Sequence, residues 1–275
     1  MSSTATTKQD PAAGPIVPPI KGVHPDRRRA IVVGASSGMG AALVTQLASE
    51  GYTVAALARR DDMLAQLVHS AGASATAAGG RVITRTHDVE DTAAVPAMFE
   101  ELVREMGGLD LFIYAAGVMP EVEWDEYDSE KDLLQMRVNL GGCMAWCNEA
   151  AKLFHTQREG RLIGISSIAG DRGRKGAPAY GATKAAMNAY LESLRNRLSE
   201  VGARVLTVKP GFIATPMTEG LDGLFWLITA EEAASTILAS ARGGFWETRY
   251  VPLRWGIVGS IIRLIPSFVF KRLSF

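Results

Sequence analysis

Short apolar runs alternate with longer amphipathic stretches over most of this chain. Runs rich in aliphatic and β-branched residues are typical of buried strands, and they occupy residues 29–34, 53–58, 81–86, 109–114, 161–166 and 204–209. Apolar positions at helical spacing follow at residues 43–48, 61–78, 91–106 and about 133–156, with Asp91 or Thr92 as the expected cap of the third helix. This repeated order of strand and helix predicts the α/β class, with parallel strands in a single domain.

The two ends of the chain depart from this alternation. Residues 1–27 are rich in Ser, Thr, Ala and Pro and lack the regions of a signal peptide, so we expect a flexible tail, or an arm that docks on a partner subunit. Residues 28–254 would form the catalytic domain. Residues 255–275 are apolar but are interrupted by basic residues and Pro266, so they lack the run that a membrane-spanning helix needs. Three uses stay open for this extension: packing under the sheet or between subunits, peripheral contact with a bilayer, or a wall of the substrate pocket.

Length, charge and cysteine content narrow the classes of protein to consider. A chain of 275 residues, 47% of them hydrophobic, can bury one sizeable core. Its 29 basic residues balance 29 acidic ones, which disfavours nucleic acid as a partner. Cys143 and Cys147 lie one helical turn apart, a spacing that suits packing in a reducing cytoplasm better than a disulfide or a metal site. The four histidines lack metal-ligand spacing, so no metal is predicted.

A glycine-rich segment links the first strand to the first helix. Gly34 and Gly38 let the backbone turn and approach a pyrophosphate, and Gly40 permits close packing of the helix. The start of that helix offers unpaired N–H groups and a positive dipole to phosphates. The segment predicts a dinucleotide site, with the alternative that the glycines make an ordinary strand-to-helix connection.

The end of the second strand bears on the choice of cofactor. An acidic residue that would bind the ribose 2′-hydroxyl of NAD(H) is missing there, and Ala58 is followed by Arg59 and Arg60. We therefore expect NADP(H) in preference to NAD(H), with Arg59 on the 2′-phosphate and the hydroxyls of Ser36 and Ser37 assisting. The alternative is a solvated pair of arginines that starts a helix.

Later strand ends are expected to complete the nucleotide site. Asp88 could accept a hydrogen bond from the adenine amino group, or it could simply start a turn. Pro210 and Gly211 stop the sixth strand and aim its loop at the same edge of the sheet, where residues 217–229 would cover the pocket. The full set of expected cofactor contacts is Gly34, Ser36, Ser37, Gly38, Met39, Gly40, Arg59, Asp88, Val89, Ala116, Gly117, Tyr180, Lys184, Pro210, Gly211, Ile213 and Thr215.

Tyr180 and Lys184 are the candidate reacting groups. On a helix, residues four apart share a face, and a nearby ammonium group favours the phenolate and would lower the pKa of Tyr180 toward the working range of an acid/base. Ser167 follows the fifth strand and is expected at the same edge. Asn139 lies inside a predicted helix, where asparagine is unfavourable, and this indicates a local irregularity or a held water. The alternative is that a YxxxK spacing occurs by chance.

Taken together, these motifs resemble the short-chain dehydrogenase/reductase family over nearly all of the chain after residue 28. The resemblance is carried by their order and spacing: Gly34-Ala-Ser-Ser-Gly38-Met-Gly40, Ala116-Gly117, Asn139, Ser167, Tyr180-x-x-x-Lys184 and Pro210-Gly211. The sequence departs from the family pattern at Val33, where threonine is usual, and at Tyr114-Ala115, where Asn-Asn is usual.

The resemblance implies a Rossmann-type, doubly wound sheet of about seven parallel strands and homo-oligomers formed through the helices that carry Asn139 and Tyr180. It also implies a catalytic tetrad of Asn139, Ser167, Tyr180 and Lys184. In that family the tyrosine moves the proton, the serine orients the substrate, the lysine lowers the tyrosine pKa and holds the ribose, and the asparagine positions a water.

A narrower resemblance concerns the C-terminal half. The segment Ser167-Ile-Ala-Gly-Asp-Arg-Gly-Arg174, the Tyr180 motif and residues 255–275 are similar to the decaprenylphosphoryl-2-keto-pentose reductase branch, which implies a keto-sugar on a polyprenyl phosphate as substrate. The basic residues Arg172, Arg174 and Lys175 would attract an anionic substrate, or they are solvated loop charges. The sequence therefore predicts an NADPH-dependent carbonyl reductase or alcohol dehydrogenase. The alternative is a non-catalytic NADP(H)-binding regulatory or sensor protein, which would have no use for a tyrosine tuned by a lysine.

Overall fold

A computed structural model of the protein describes residues 28–244 and 246–273. The predicted flexible tail, residues 1–27, lies outside the described residues, as do Phe245, Ser274 and Phe275. The long elements are β1 (Arg29–Val33), α1 (Gly38–Ser49), β2 (Thr53–Ala58), α2 (Asp61–Ala77), β3 (Arg81–Thr86), α3 (Val95–Met106), β4 (Leu111–Tyr114), α4 (Ser129–Gln135), α5 (Cys143–Gln157), β5 (Arg161–Ile165), α6 (Pro178–Ser199) and β6 (Arg204–Pro210).

The C-terminal third contains shorter elements. They are β7 (Ile213–Ala214), β8 (Ile228–Thr229), α7 (Ala230–Gly243), β9 (Thr248–Val251), α8 (Trp255–Leu264) and α9 (Ser267–Phe270). Strands β7 and β8 pair with each other outside the main sheet. The extension predicted at residues 255–275 thus begins with a helix of ten residues, which is too short to span a bilayer. In the part of the chain that the structure describes, none of the helices combines the length and the apolar character of a membrane span.

The main sheet has seven parallel strands in the order β3-β2-β1-β4-β5-β6-β9, as the sequence predicted for a doubly wound fold. Successive side chains of β1 point to opposite faces, so Ala30 and Val32 join one core while Ile31 and Val33 join the other. The first core packs against α1, α2 and α7, and the second against α3, α5 and α6. From β1 the chain adds β2 and β3 on one side, and it then adds β4 and the later strands on the other side. This reversal of the strand order between β1 and β4 leaves a crevice at the carboxyl ends of these two strands.

Several predicted boundaries shift in the structure. Helix α3 begins at Val95 rather than Asp91, because Pro96 fits the first helical turn and the Asp91 carboxylate instead accepts a hydrogen bond from the Ala94 N–H at 3.2 Å. The cap at Asp91 or Thr92 was therefore wrong. The sequence analysis also missed α7 and the edge strand β9, whose register is fixed by pairing with β6.

Candidate active site

The glycine-rich turn lies at the crevice between β1 and β4. Gly34 adopts φ = +91°, a left-handed conformation that favours glycine, and a Cβ there would lie 2.4 Å from the Ala116 backbone nitrogen at the end of β4. A Cβ on Gly40 would lie 2.0 Å from the Gly34 carbonyl oxygen. The start of α1 is therefore packed directly against the turn, so both positions require glycine, and the N-terminus of α1 lies where a phosphate could bind it.

The loop after β6 closes the other side of this turn. A Cβ on Gly38 would lie 2.9 Å from the Thr215 Cγ2 atom, which brings the loop that carries Ile213 and Thr215 against the start of α1. Ile213 itself is buried, and the Gly211 N–H donates to the Val251 carbonyl oxygen at 2.9 Å. Met39 is partly buried against the core beneath the turn.

The two arginines after β2 point to different partners. The Arg60 guanidinium donates to the Ser36 and Ser37 hydroxyls at 2.8 and 2.9 Å, whereas the Arg59 guanidinium lies 3.7 Å from the Asp88 carboxylate. In the protein chain alone Arg60, and not Arg59, contacts the two serines, and the binding of a 2′-phosphate by Arg59 stays a prediction. Asp88 also accepts from the Glu90 N–H at 3.0 Å, which is the turn-starting role left open by the sequence.

A π-helical segment, Met136–Gly142, interrupts the predicted helix between α4 and α5. Asn139 lies at its centre, which confirms the irregularity that this residue indicated. The Tyr114 hydroxyl donates to the Val138 carbonyl oxygen at 2.6 Å, and a Cβ on Gly142 would lie 2.6 Å from that hydroxyl and 2.9 Å from the Val89 Cβ atom. Tyr114, which departs from the family pattern, thus joins the end of β4 to this segment.

Asn139 is fully buried, and its side chain is held from two sides. Its Oδ1 atom accepts from the Val118 N–H at 2.7 Å, and its Nδ2 atom donates to the Val118 carbonyl oxygen at 3.0 Å and to the Thr183 hydroxyl at 3.2 Å. A Cβ on Gly117 would lie 3.4 Å from Asn139 Oδ1 and 3.5 Å from Lys184 Nζ. Glycine at this position keeps open a small space that faces both polar groups.

Ser167 begins a single 3₁₀ turn, Ile168–Asp171, directly after β5. Its hydroxyl oxygen accepts from the Ala169 N–H at 3.0 Å, and the hydroxyls of Ser167 and Tyr180 are hydrogen-bonded to each other. Because the Ala169 N–H occupies an acceptor site on Ser167, the serine proton is left to donate toward Tyr180 or toward an oxygen bound beside it.

Tyr180 lies buried in the first turns of α6. Burial raises the pKa of its phenol above the usual value, and the hydrogen bond from Ser167 and the positive charge of Arg174 oppose this rise. That Lys184 lowers the Tyr180 pKa stays a prediction, since in the protein chain alone burial has the largest effect and Arg174 is the cation that opposes it. The phenol is therefore held in its protonated form at neutral pH.

Lys184 follows one turn later and is buried on the same side of α6. Its ammonium nitrogen lies 5.6 Å from the centre of the Tyr180 ring and donates to the Ile165 carbonyl oxygen at 3.0 Å. Burial lowers the pKa of this group from 10.5 to about 8. The structure therefore brings Ser167, Tyr180, Lys184 and Asn139 to one edge of the sheet, beside the glycine turn.

An aromatic cluster borders this edge on the C-terminal side, and the sequence analysis did not identify it. The Trp255 ring centre lies 5.3 Å from that of Phe212, 5.0 Å from that of Phe225 and 5.6 Å from that of Trp226. A Cβ on Gly211 would lie 2.1 Å from the Trp255 Nε1 atom, so the indole rests directly on the loop after β6. The cluster joins residues of the predicted pocket cover to the first residue of the extension.

Comparison with known proteins identifies the family of this chain. A family model described as short chain dehydrogenase matches residues 28–223, which is more than two thirds of the chain. The chain belongs to the short-chain dehydrogenase family. An uncharacterized oxidoreductase of Mycobacterium tuberculosis is 29% identical over 245 residues, which cover 88% of this chain and 96% of that protein. A 3-oxoacyl-[acyl-carrier-protein] reductase of Bos taurus is 30% identical over 191 residues, or 70% and 78% of the two chains.

A solved structure titled ElxO with NADP bound has the same fold as this short-chain dehydrogenase. It superposes with a TM-score of 0.71 at 21% identity and covers 81% of this chain and 95% of that one. The protein is thus an oxidoreductase of the short-chain dehydrogenase family, and its fold binds a nicotinamide cofactor. The glycine turn fits such a group, because Gly34 and Gly40 let the turn and the start of α1 pack closely at the end of β1, where a pyrophosphate would meet the N-terminus of the helix.

Proposed function

We propose that this short-chain dehydrogenase is an NADPH-dependent reductase of ketones, or the corresponding secondary-alcohol dehydrogenase, with Tyr180 as its acid/base. The observation that carries the proposal is the hydrogen-bonded Ser167–Tyr180 pair, buried beside the glycine turn. A phenol that stays protonated at neutral pH can donate a proton to the oxygen of a ketone as that oxygen gains negative charge.

The proposed roles of the side chains follow from their contacts. A bound reduced nicotinamide would supply the hydride to the carbonyl carbon. Ser167 directs its hydroxyl proton at the carbonyl oxygen, and Tyr180 donates the proton that completes the alcohol. Lys184 holds a positive charge below Tyr180 and faces the space beside Gly117, where a ribose hydroxyl would accept its second hydrogen bond. Asn139, fixed by Val118 and Thr183, would accept a hydrogen bond from a water in the same space through the second lone pair of its Oδ1 atom.

The proposed preference for NADPH rests on the basic groups after β2. The Arg60 guanidinium bridges Ser36 and Ser37 at the edge of the glycine turn, and these three side chains offer donors suited to a 2′-phosphate. Arg59 lies farther out, and its charge is shared with Asp88. The remaining contacts proposed for the cofactor come from the backbone at Gly38, Ala116, Pro210 and Thr215.

For the substrate, we propose a ketone that carries an anionic group, such as a keto-sugar on a lipid phosphate. The three basic residues of the loop before α6 differ in their surroundings. Arg172 is bound to carbonyl groups of the extension, with 2.6 Å to the Ile262 oxygen, and Lys175 lies over the Trp124 ring at 5.7 Å. Arg174 remains close enough to Tyr180 to act on its charge, so it is the group that would bind an anion beside the reacting carbonyl.

A matched pair of substrates tests Arg174. We expect Arg174→Gln to lower kcat/KM about ten-fold for a phosphate-bearing ketone, and to change it little for the same ketone with a free hydroxyl. Lys175→Gln is the control for net charge. Equal losses on both ketones would remove the anionic substrate from the proposal and leave the reaction itself standing.

We also propose that the enzyme is a cytoplasmic homo-oligomer assembled through the helices that carry Asn139 and Tyr180. Cys143 and Cys147 are buried free thiols with their sulfur atoms 3.7 Å apart, which suits a reducing compartment. Leu133, Met136 and Met144 are exposed along the stretch around Asn139 and would be covered by a second subunit. Light scattering of the full chain tests the assembly, and a monomer at all accessible concentrations would contradict it.

The reaction itself is tested with NADPH and a panel of ketones. We expect NADPH oxidation that matches alcohol formation in stoichiometry, with lower kcat/KM when NADH replaces NADPH. NADPH binding without turnover of any ketone or any secondary alcohol would instead favour a regulatory nucleotide-binding protein.

A further inference from the structure

Helix α8 is apolar on two opposite sides, and only one of them is covered. Trp255, Gly259 and Ile262 follow each other at helical spacing and face the body of the enzyme. Ile257, Ile261 and Leu264 form the opposite stripe and are 66%, 56% and 83% exposed. An exposed apolar stripe on a packed helix is typical of a surface that contacts another molecule, so the outer stripe indicates a partner that is absent from the isolated chain.

The inner side of α8 is fixed to the body of the enzyme. A Cβ on Gly259 would lie 2.7 Å from the Asp171 carboxylate, so glycine permits direct contact with the turn that begins at Ser167. Arg172 donates to the Ile262 and Ile265 carbonyl oxygens at the end of α8, and its guanidinium lies 4.1 Å from the Phe270 ring centre. The outer stripe is therefore part of a firmly packed element rather than a loose end.

The exposed apolar area extends beyond the helix at both ends. Leu253 precedes α8 and Phe268 lies in α9, and they are 52% and 63% exposed. Together with Ile257, Ile261 and Leu264 they form what we call the C-terminal apolar surface. Trp226, which packs against Trp255 and the Arg254 guanidinium, adds an exposed indole beside it. Indole rings with one apolar and one wet side are favoured at the boundary between lipid and water.

The charged residues of the segment that carries the C-terminal apolar surface are all basic. Between Thr248 and Leu273 the chain has five basic residues and no acidic residue, although the whole sequence is electrically balanced. Asp171, the acidic side chain packed under α8, is 2% exposed and is already bound to Lys209 at 2.6 Å and to the Tyr250 hydroxyl at 2.7 Å. An isologous contact between two copies of this surface would bring like charges together, whereas an anionic layer would be attracted to them.

From this combination we infer that the C-terminal apolar surface docks on a lipid bilayer that contains anionic lipids. Helix α8 would lie in the plane of the membrane, with Ile257, Ile261 and Leu264 among the acyl chains. Arg254, Arg263, Lys271 and Arg272 would lie at the level of the headgroups. Because the inner side of the same helix contacts the Ser167 turn and the loop after β6, docking would hold the catalytic cleft beside the membrane. The inference does not depend on the proposed reaction.

The test uses the full-length chain and cosedimentation with vesicles of phosphatidylcholine alone or of phosphatidylcholine and phosphatidylglycerol in equal parts. We expect binding to the anionic vesicles that weakens as salt is added, and much weaker binding to the neutral ones. Ile257→Glu combined with Ile261→Glu should abolish binding. Lys271→Gln combined with Arg272→Gln should weaken it about thirty-fold, since each basic residue near an anionic surface contributes about 1 kcal/mol.

The control places the same chemical change on another exposed helix position. Val68→Glu on α2 should leave vesicle binding unchanged, and circular dichroism should show that all variants fold. Absence of binding by the wild-type chain, or equal losses in the Val68 and Ile257/Ile261 variants, would overturn the inference. It would also be overturned if vesicles did not bind and the Ile257/Ile261 variant turned a dimer into a monomer in light scattering, because the surface would then be covered by a second copy.

Discussion

At the end of β1 the site consists of glycines, which have no side chains, whereas near the end of β5 it consists of buried polar side chains. A Cβ on Gly34 would clash with the backbone at Ala116 after β4, and a Cβ on Gly40 would clash with the Gly34 carbonyl oxygen. Ser167, Tyr180 and Lys184 are instead buried side chains, and the loss of water raises the pKa of Tyr180 and lowers that of Lys184. The first region depends on shape and should be insensitive to pH, while the second depends on charge and should respond to it.

Among substitutions in the glycine turn, we expect one at Gly34 to have the largest effect. We expect Gly34→Ala to lower the free energy of unfolding by at least about 2 kcal/mol, because it combines a left-handed backbone with a contact of 2.4 Å to Ala116. Nicotinamide cofactor binding should weaken more than ten-fold. Denaturant unfolding and fluorescence titration measure the two effects.

Gly72 provides the matched control. It lies in α2 with nothing within 4 Å of its would-be Cβ, so Gly72→Ala should raise stability by about 1 kcal/mol through helix propensity. Similar losses in both variants would mean that the contact with Ala116 is not what makes Gly34 necessary.

The charge requirement is tested at Lys184. Below pH 8 this lysine is protonated in both folded and unfolded chains, and the fall of its pKa from 10.5 to about 8 corresponds to a folding cost of about 3 kcal/mol. This cost declines as the pH rises from about 8 and is gone above pH 10.5. Lys184→Met removes the cost together with the hydrogen bond to Ile165, which contributes about 1 kcal/mol.

Lys184→Met should therefore raise the free energy of unfolding by about 2 kcal/mol at pH 7, lose this advantage with rising pH, and eliminate most of the activity. Urea unfolding across the pH range measures the trend. Lys175→Met, at an exposed position, should change stability by less than about 0.5 kcal/mol at any pH. A stability gain at Lys184 that did not vary with pH would contradict a buried ammonium group.

The smallest effect is expected for the arginines after β2, which we propose bind the 2′-phosphate of the cofactor. Arg60→Ala should lower the ratio of kcat/KM for NADPH to that for NADH about ten-fold, because it removes the guanidinium beside Ser36 and Ser37. Arg59→Ala should lower the same ratio less than about three-fold. The opposite ranking would restore Arg59 as the principal phosphate ligand.

The two regions also differ in how far the sequence predicts them. The glycine turn follows from local pattern, since an apolar run, three spaced glycines and a helical repeat specify strand, turn and helix. Asn139 likewise signalled the π-helical segment, because asparagine disturbs a regular helix. The directions of Arg59 and Arg60 did not follow, since both residues lie in the short connection between β2 and α2, where no regular repeat fixes where a side chain points.

The properties of the second region arise from tertiary burial. The pKa of Tyr180 is raised because the residue is buried, whereas the residue spacing led us to expect that Lys184 would lower it. Strand β9 has four residues and no clear alternation, so its place at the edge depends on β6. The aromatic cluster around Trp255 joins residues that are far apart in the sequence, so no local sequence pattern could predict it.

The central claim is that the Tyr180 hydroxyl moves the proton, and Tyr180→Phe tests it most directly. Steady-state reduction of a ketone should be measured together with NADPH affinity in the same preparation. The account predicts a fall in kcat of about a thousand-fold with cofactor affinity changed less than about three-fold, since only the proton donor is removed. A variant that binds NADPH normally and reduces the ketone at the wild-type rate would contradict it.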